Sequence, residues 1–261
     1  AKEETGSSPR KLAVSTLGDE LKMLPVESKA IGISIKDRSA ILPVGHMADG
    51  AYWFDSKNGR WITSDYYVKQ LPTWVSDVNK ASPAARAENA KWMAVNAKAG
   101  DKPLCTTIKD DKTARPCGDI EHTPWGNEII EELAEKALTG ENLGHHAGTD
   151  LLTVSFSAND YVGHDVGPDT PDVKDISIRT DRLIGKLLDA IDKEAGLLNV
   201  TVVMTADHGV APTPEESAKR NMPGGRVKPD MLTKPVEAAL SAKYGAGTWV
   251  LYDAEGMLYL D

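Results

Sequence analysis

Two short clusters carry side chains able to hold metal ions. The first is Ser157-Ala-Asn-Asp160-Tyr-Val-Gly-His164 and the second is Thr205-Ala-Asp207-His208-Gly209. Carboxylate and imidazole suit a borderline-soft, redox-inert cation such as Zn²⁺. Asp160 and His164 are spaced i, i+4, so both side chains converge if the segment is one turn of helix. Asp207 and His208 are adjacent and would point to opposite faces of a strand. The chain must therefore leave strand geometry there, and Gly209 gives the backbone that freedom. Each cluster alone has a plainer reading. Asp-x-x-x-His also serves as a helix-capping or salt-bridge pair, and Asp-His-Gly also makes surface turns. What argues for chemistry is that both follow a run that reads as a buried strand.

Those strands set the framework. Asp150 to Phe156 reads as one strand. Val200 to Met204, continuous and mostly β-branched, reads as another, covered on both faces as in a parallel sheet. Lys29 to Ile35, with Ile31, Ile33 and Ile35 alternating, reads as a third, and Ala51 to Phe54, followed by an Asn58-Gly59 turn, as a fourth. In open α/β sheets ligands gather beyond the carboxyl ends of strands, which places both clusters on one rim.

Helices are expected between the strands. Asp65 is a plausible N-cap for a short one through Tyr66 and Tyr67, and Pro72 to Asn79 suggests another. Gly126 to Leu138 is amphipathic, with Ile129, Ile130, Leu133 and Ala137 on one face. Asp172 is expected to cap a long helix reaching about Glu194, and a helix around Lys234 to Lys243 precedes a terminal hairpin about Asp253 to Gly256. The alternation predicts an α/β fold, a mostly parallel sheet flanked by helices. Residues 1–261 read as one partial domain, with 81–125 as an insertion or cap.

The 261 residues are 41% hydrophobic and 26% charged, enough to bury a sizeable core. A net charge of −9 argues against duplex nucleic acid as a partner, but not against small phosphorylated substrates, because a bound cation inverts the local field. No apolar run reaches the roughly 18 residues of a membrane span, and no membrane partner is expected. Cys105 and Cys117 read either as free thiols or as one local disulfide, and they lack the C-x-x-C spacing of a zinc ribbon.

The string ADHGV after NVTVVMT, together with NDYVGH and the helix pattern before it, resembles the alkaline phosphatase superfamily. It is similar in particular to the type I phosphodiesterase and nucleotide pyrophosphatase branch. Within that branch, IGISIKDRSAILPVGHMADGAYWFD resembles the bacterial PafA-type alkaline phosphatases. The likeness runs from about Ser15 to Val227 and implies an alkaline-phosphatase-like core, incomplete here. It implies two Zn²⁺ ions in the intact enzyme, one on Asp160 and His164 and one on Asp207 and His208. It also assigns Lys36 and Arg38 to the transferred phosphoryl group; outside that company a Lys-x-Arg after a strand is a solvated turn. Two cations there would suit the charge spread over the equatorial oxygens of a phosphoryl transition state. The implied reaction is monoester hydrolysis through a covalent phosphoenzyme, in a periplasmic or secreted compartment.

Parts of the family pattern have no counterpart. The Thr or Ser nucleophile and a metal Asp lie upstream of Lys36 in the family, and none of Thr5, Ser7, Ser8, Ser15 or Thr16 has that setting. The family's phosphate-binding Asn is likewise absent. No histidine follows His208 to serve as a third ligand. His46 reads as a core or supporting residue, and His145-His146 as a loop pair. The expectation is an internal piece of a longer enzyme, completed by its missing N- and C-terminal segments. Alone, it should bind zinc partially or not at all and lack phosphatase activity, and its shortened sheet should leave an edge that invites self-association. The rival readings are a nucleotide pyrophosphatase or phosphodiesterase of the same superfamily, and a non-catalytic binding domain with residual ligands. Sulfatases and metal-dependent phosphoglycerate mutases fit the motifs less well.

Overall fold

A computed structural model describes residues 6–254 and 257–261. In chain order the elements are α1 (Leu17–Lys22), β1 (Ala30–Ser34), α2 (Asp37–Ile41), β2 (Gly50–Asp55), β3 (Arg60–Ile62), α3 (Thr73–Lys80), β4 (Lys91–Trp92), β5 (Cys105–Thr106), β6 (Arg115–Pro116), α4 (Pro124–Gly140), β7 (Leu151–Ser155), α5 (Ala158–Val166), α6 (Pro171–Ala195), α7 (Pro214–Lys219), α8 (Pro229–Tyr244), β8 (Val250–Ala254) and β9 (Met257–Leu260). Contacts divide the chain into two compact units, 1–211 and 212–261.

The main sheet of the first unit has the order β3-β2-β1-β7. β1 runs parallel to both neighbours, pairing Ile31 with Gly50 on one side and with Leu152 on the other, while β2 and β3 form an antiparallel hairpin. The fold is thus α/β with a mostly parallel sheet. The alternation in β1 divides its side chains between two cores. Ile31 and Ile33 pack with Tyr52, Phe54 and Trp61 against Ile129, Ile130 and Leu133 of α4 and Val75 and Val78 of α3. Ala30 faces the other way, with Ala51 and Trp53, onto Ala40, Ile41 and Val44. Helices therefore cover both faces, which is why every residue of β1 is buried. At Gly32 the backbone of α2 comes so close that a Cβ would sit 2.0 Å from the Ala40 carbonyl oxygen. The β3 edge is closed by a side chain: Asn79 accepts from the Trp61 amide at 2.7 Å and donates to its carbonyl at 2.8 Å.

Residues 81–125 carry a small sheet of order β4-β5-β6. Cys105 and Cys117 form a disulfide within it. The disulfide packs with Trp92 against Ala158 and Val162 of α5 and Ile176 of α6. Trp92 Nε1 donates to Asp175 at 2.7 Å, and Arg115 pairs with Asp172 at 2.5 Å, tying this sheet to α6.

Three sequence expectations are corrected. Residues 65–67 form only a turn, with the Tyr67 amide donating to Ser64 O at 3.1 Å; Tyr67 instead reaches with its hydroxyl to Gly45 O. Thr170, not Asp172, caps α6, its hydroxyl accepting from the Val173 amide, because Pro171 occupies the first helical position and leaves Asp172 inside the first turn. The run Val200 to Met204 forms no strand, and Val203 is 82% exposed. Its composition calls for pairing and cover on both sides, and among the described residues no strand pairs with it.

The second unit contains α7, α8 and the β8-β9 hairpin. The amides of Trp249 and Val250 donate to the Glu237 carboxylate, fixing the start of β8 to α8. Part of the hairpin turn anticipated at Asp253 to Gly256 lies outside the described residues. No helix among the described residues is long and apolar enough to cross a membrane.

One buried acid gives this fold a pH dependence. Glu131 on α4 is only 2% exposed, its Oε1 has no hydrogen-bond partner, and its Oε2 accepts from Lys186 at 2.9 Å. Burial pushes its carboxyl up to about 7; Glu135 adds to the rise and Lys186 opposes it. The folded state then holds the proton more tightly than the unfolded chain. That stabilisation is complete below the ordinary Glu value and is lost as pH rises through about 7. Glu131→Gln is expected to melt like the wild type at pH 4 and to be more stable by about 3 kcal/mol at pH 8. Chemical denaturation at both pH values checks this, and a pH-independent difference contradicts it.

Candidate metal centre

The rim beyond the carboxyl ends of β1 and β7 brings Lys36, Asp160, His164 and His208 together, with Asp207 at its exposed margin and Arg38, among the described residues, in no contact with these ligands. The two exits are tied together by the Ser34 and Ser157 hydroxyls, 2.8 Å apart and buried, and Ser34 Oγ also accepts from the Lys36 amide at 3.1 Å. β7 leads directly into α5. Ala158 and Val162 turn inward onto Trp92 and the disulfide, and Asp160 and His164 occupy another face one turn apart. Sequence reasoning missed what fixes the start of this helix. Asn127 of α4, fully buried, accepts from the Ala158 amide at 3.1 Å and donates to Asn159 at 2.7 Å and Thr180 at 2.8 Å. The available signal was a polar residue on the apolar stripe 127–130–134.

Asp160, His164 and His208 form a group whose ligand atoms all lie within 4.8 Å of one another. His164 Nε2 is 3.1 Å and His208 Nε2 is 3.3 Å from Asp160 Oδ1. Asp207 is 74% exposed, outside that group, with its Oδ2 3.6 Å from His208 Nε2. Its Oδ1 accepts from the His208 amide at 3.0 Å, turning the backbone at this point.

The donor set fits zinc. Two ligand atoms each 2.0–2.1 Å from a tetrahedral ion lie about 3.4 Å apart. The Asp160–His164 and Asp207–His208 separations, 3.1 and 3.6 Å, bracket that value. Asp160 Oδ1 is buried and makes no hydrogen bond, although two imidazole nitrogens are within reach. A buried carboxylate oxygen without a partner is costly, and a cation relieves that cost.

Lys36 is the nearest fixed charge. Its Nζ bonds to Asp160 Oδ2, and its side chain is 9% exposed. Burial opposes ionisation of Asp160, but Lys36, with help from His164 and His208, holds its carboxyl below the usual range. The ammonium also lies 4.7 Å from the centroid of the Tyr161 ring. Arg38 sits in the first turn of α2, and its charge bears on the Tyr161 phenol, which burial pushes up. His46 and His146 have other duties. His46 bridges Asp19 and Leu12 O at 3.2 and 3.1 Å, and His146 bonds Asp150 at 2.8 Å at the start of β7.

Residues 42–231 match the family described as Type I phosphodiesterase / nucleotide pyrophosphatase, a stretch that includes all four anticipated metal ligands but neither Lys36 nor Arg38. The chain is 34% identical to alkaline phosphatase PafA of Elizabethkingia meningoseptica, covering 97% of this chain and 50% of that protein. It is 37% identical to alkaline phosphatase PhoV of Synechococcus elongatus, covering 84% and 43%. The crystal structure of wild-type alkaline phosphatase PafA superposes with a TM-score of 0.86 at 33% identity, over 97% of this chain and 52% of that one. The chain spans about half the length of these relatives.

Proposed function

The chain belongs to the Type I phosphodiesterase / nucleotide pyrophosphatase family, in the alkaline phosphatase superfamily, and on that premise we propose that it is part of a zinc-dependent phosphate monoesterase. The observation that carries the reading is the Oδ1 of half-buried Asp160, which makes no hydrogen bond and lies 3.1 and 3.3 Å from two imidazole nitrogens, on a carboxylate whose other oxygen meets Lys36.

In this reading Asp160 and His164 would hold one ion, and Asp207 and His208 the other. When bound, zinc would supply Lewis-acid stabilisation of the negative charge that develops during phosphoryl transfer. The side chains of this polypeptide do the rest. Lys36 and Arg38 meet the non-bridging oxygens of the phosphoryl group, Arg38 through a planar fork and Lys36 as a point charge. Positioning and charge stabilisation are most of what phosphoryl transfer asks of a protein. A monoester presents one more negative charge than a diester and less bulk, so two cations favour it. The covalent phosphoenzyme route needs a Thr or Ser nucleophile, a role we assign to no residue of this chain. A periplasmic or secreted location accords with the disulfide.

The test uses the complete polypeptide. p-Nitrophenyl phosphate should be hydrolysed with a kcat/KM at least about tenfold above that for the bis ester, given what one stabilising contact is worth in such sites. Chelation should abolish hydrolysis and zinc should restore it. A diester preference would turn the assignment to the nucleotide pyrophosphatase or phosphodiesterase reading. Activity that survives chelation would reject the metal centre.

A further inference from the structure

We propose that Tyr161 is a positioning residue for Lys36, its ring setting the ammonium where a phosphoryl oxygen is to be met; this rests on the phosphohydrolase reading above. Lysine is a poor choice for a fixed contact, because its four-carbon stem carries much rotamer freedom that must be lost on binding. Here that freedom is removed beforehand. The ammonium is held between the Asp160 carboxylate and the face of the Tyr161 ring, 4.7 Å from its centroid, with the side chain almost wholly out of water. A cation over an aromatic face is attracted by the ring quadrupole, most strongly where water is excluded.

The two anchors are not equivalent. Asp160 is also the carboxylate that faces His164 and His208, and a cation seated there competes with Lys36 for it. The Tyr161 ring is neutral and enters no such competition, so it continues to define where Lys36 sits. The ring is itself braced. His122 packs against it with centroids 4.9 Å apart, and His122 Nδ1 lies 2.6 Å from Asp165 Oδ2, one turn of α5 beyond Tyr161. Asp165, His122, Tyr161 and Lys36 thus form a continuous stack beside the metal ligands.

The ring, not the hydroxyl, is the working part, so Tyr161→Phe should behave as wild type and Tyr161→Leu should not. In the zinc-loaded complete polypeptide, Tyr161→Leu is expected to weaken inorganic phosphate inhibition and lower monoester kcat/KM by about tenfold each, and Tyr161→Phe by less than about twofold. In a Lys36→Met background Tyr161→Leu should add less than about twofold, because the two act through one contact. Full additivity in that cycle, or a Phe variant as impaired as Leu, overturns the proposal. A separate readout needs no activity. The Lys36 ε-CH₂ resonances should be shifted upfield by the ring current in wild type and Tyr161→Phe, and move to ordinary lysine positions in Tyr161→Leu. Unshifted resonances in wild type overturn the proposal even if the enzyme is a phosphatase. Shifted resonances in a protein without phosphatase activity support the contact and reject the catalytic reading alone.

Discussion

Asp160→Asn in the complete polypeptide is expected to lower zinc affinity by at least about 100-fold and to remove nearly all monoesterase activity. Residues that only orient metal ligands already cost 10–100-fold in affinity or activity when changed, and Asp160 is placed as a ligand itself. The substitution keeps the shape of the side chain and removes its charge, so folding should survive while a cation between His164 and His208 loses its anionic ligand and the Lys36 ammonium loses its counter-charge. Calorimetric zinc titration of wild type and variant, with the melting temperature of each metal-free form as control, checks this. Unchanged zinc affinity in Asp160→Asn would contradict the placement of the centre.

Lys36→Met separates the metal from the phosphoryl group. Methionine keeps the apolar stem and removes the charge. Zinc affinity should be equal to or above that of wild type, because Lys36 no longer competes for Asp160. Monoester kcat/KM should fall by about 10²–10³, the cost of one stabilising donor in such a site. Diester hydrolysis, with one charge fewer to meet, should fall by less than about tenfold. Parallel kinetics on the two p-nitrophenyl esters, with zinc titration of the same preparation, measure all three. Equal losses on both esters would contradict the role given to Lys36, and weakened zinc binding would show it to be structural.

The parts of this arrangement that local pattern controls were legible in the sequence. Alternating Ile31, Ile33 and Ile35 announced β1, and the i, i+4 spacing of Asp160 and His164 announced a helical turn, because side-chain periodicity follows directly from backbone geometry. Val200 to Met204 shows the limit of such reasoning. A β-branched run reports that burial suits it, but a strand is made by its neighbours, and the described residues give it none. Spacing alone does not decide whether Cys105 and Cys117 are linked; the parallel pairing of β5 with β6 brings the two cysteines together. Asn127, Tyr161 and His122 were invisible as site residues for a related reason. Their roles arise from partners 31 to 125 positions away, as in Asn127 to Ala158, Tyr161 to Lys36 and His122 to Asp165, and no periodicity encodes such meetings.

The most direct test of the metal centre is diffraction from zinc-loaded crystals of the complete polypeptide, measured on either side of the zinc absorption edge. Two anomalous peaks are predicted about 3.5–4 Å apart, one within bonding distance of Asp160 and His164 and the other of Asp207 and His208. Fully loaded crystals with zinc bound elsewhere, and no peak against these four side chains, would contradict it.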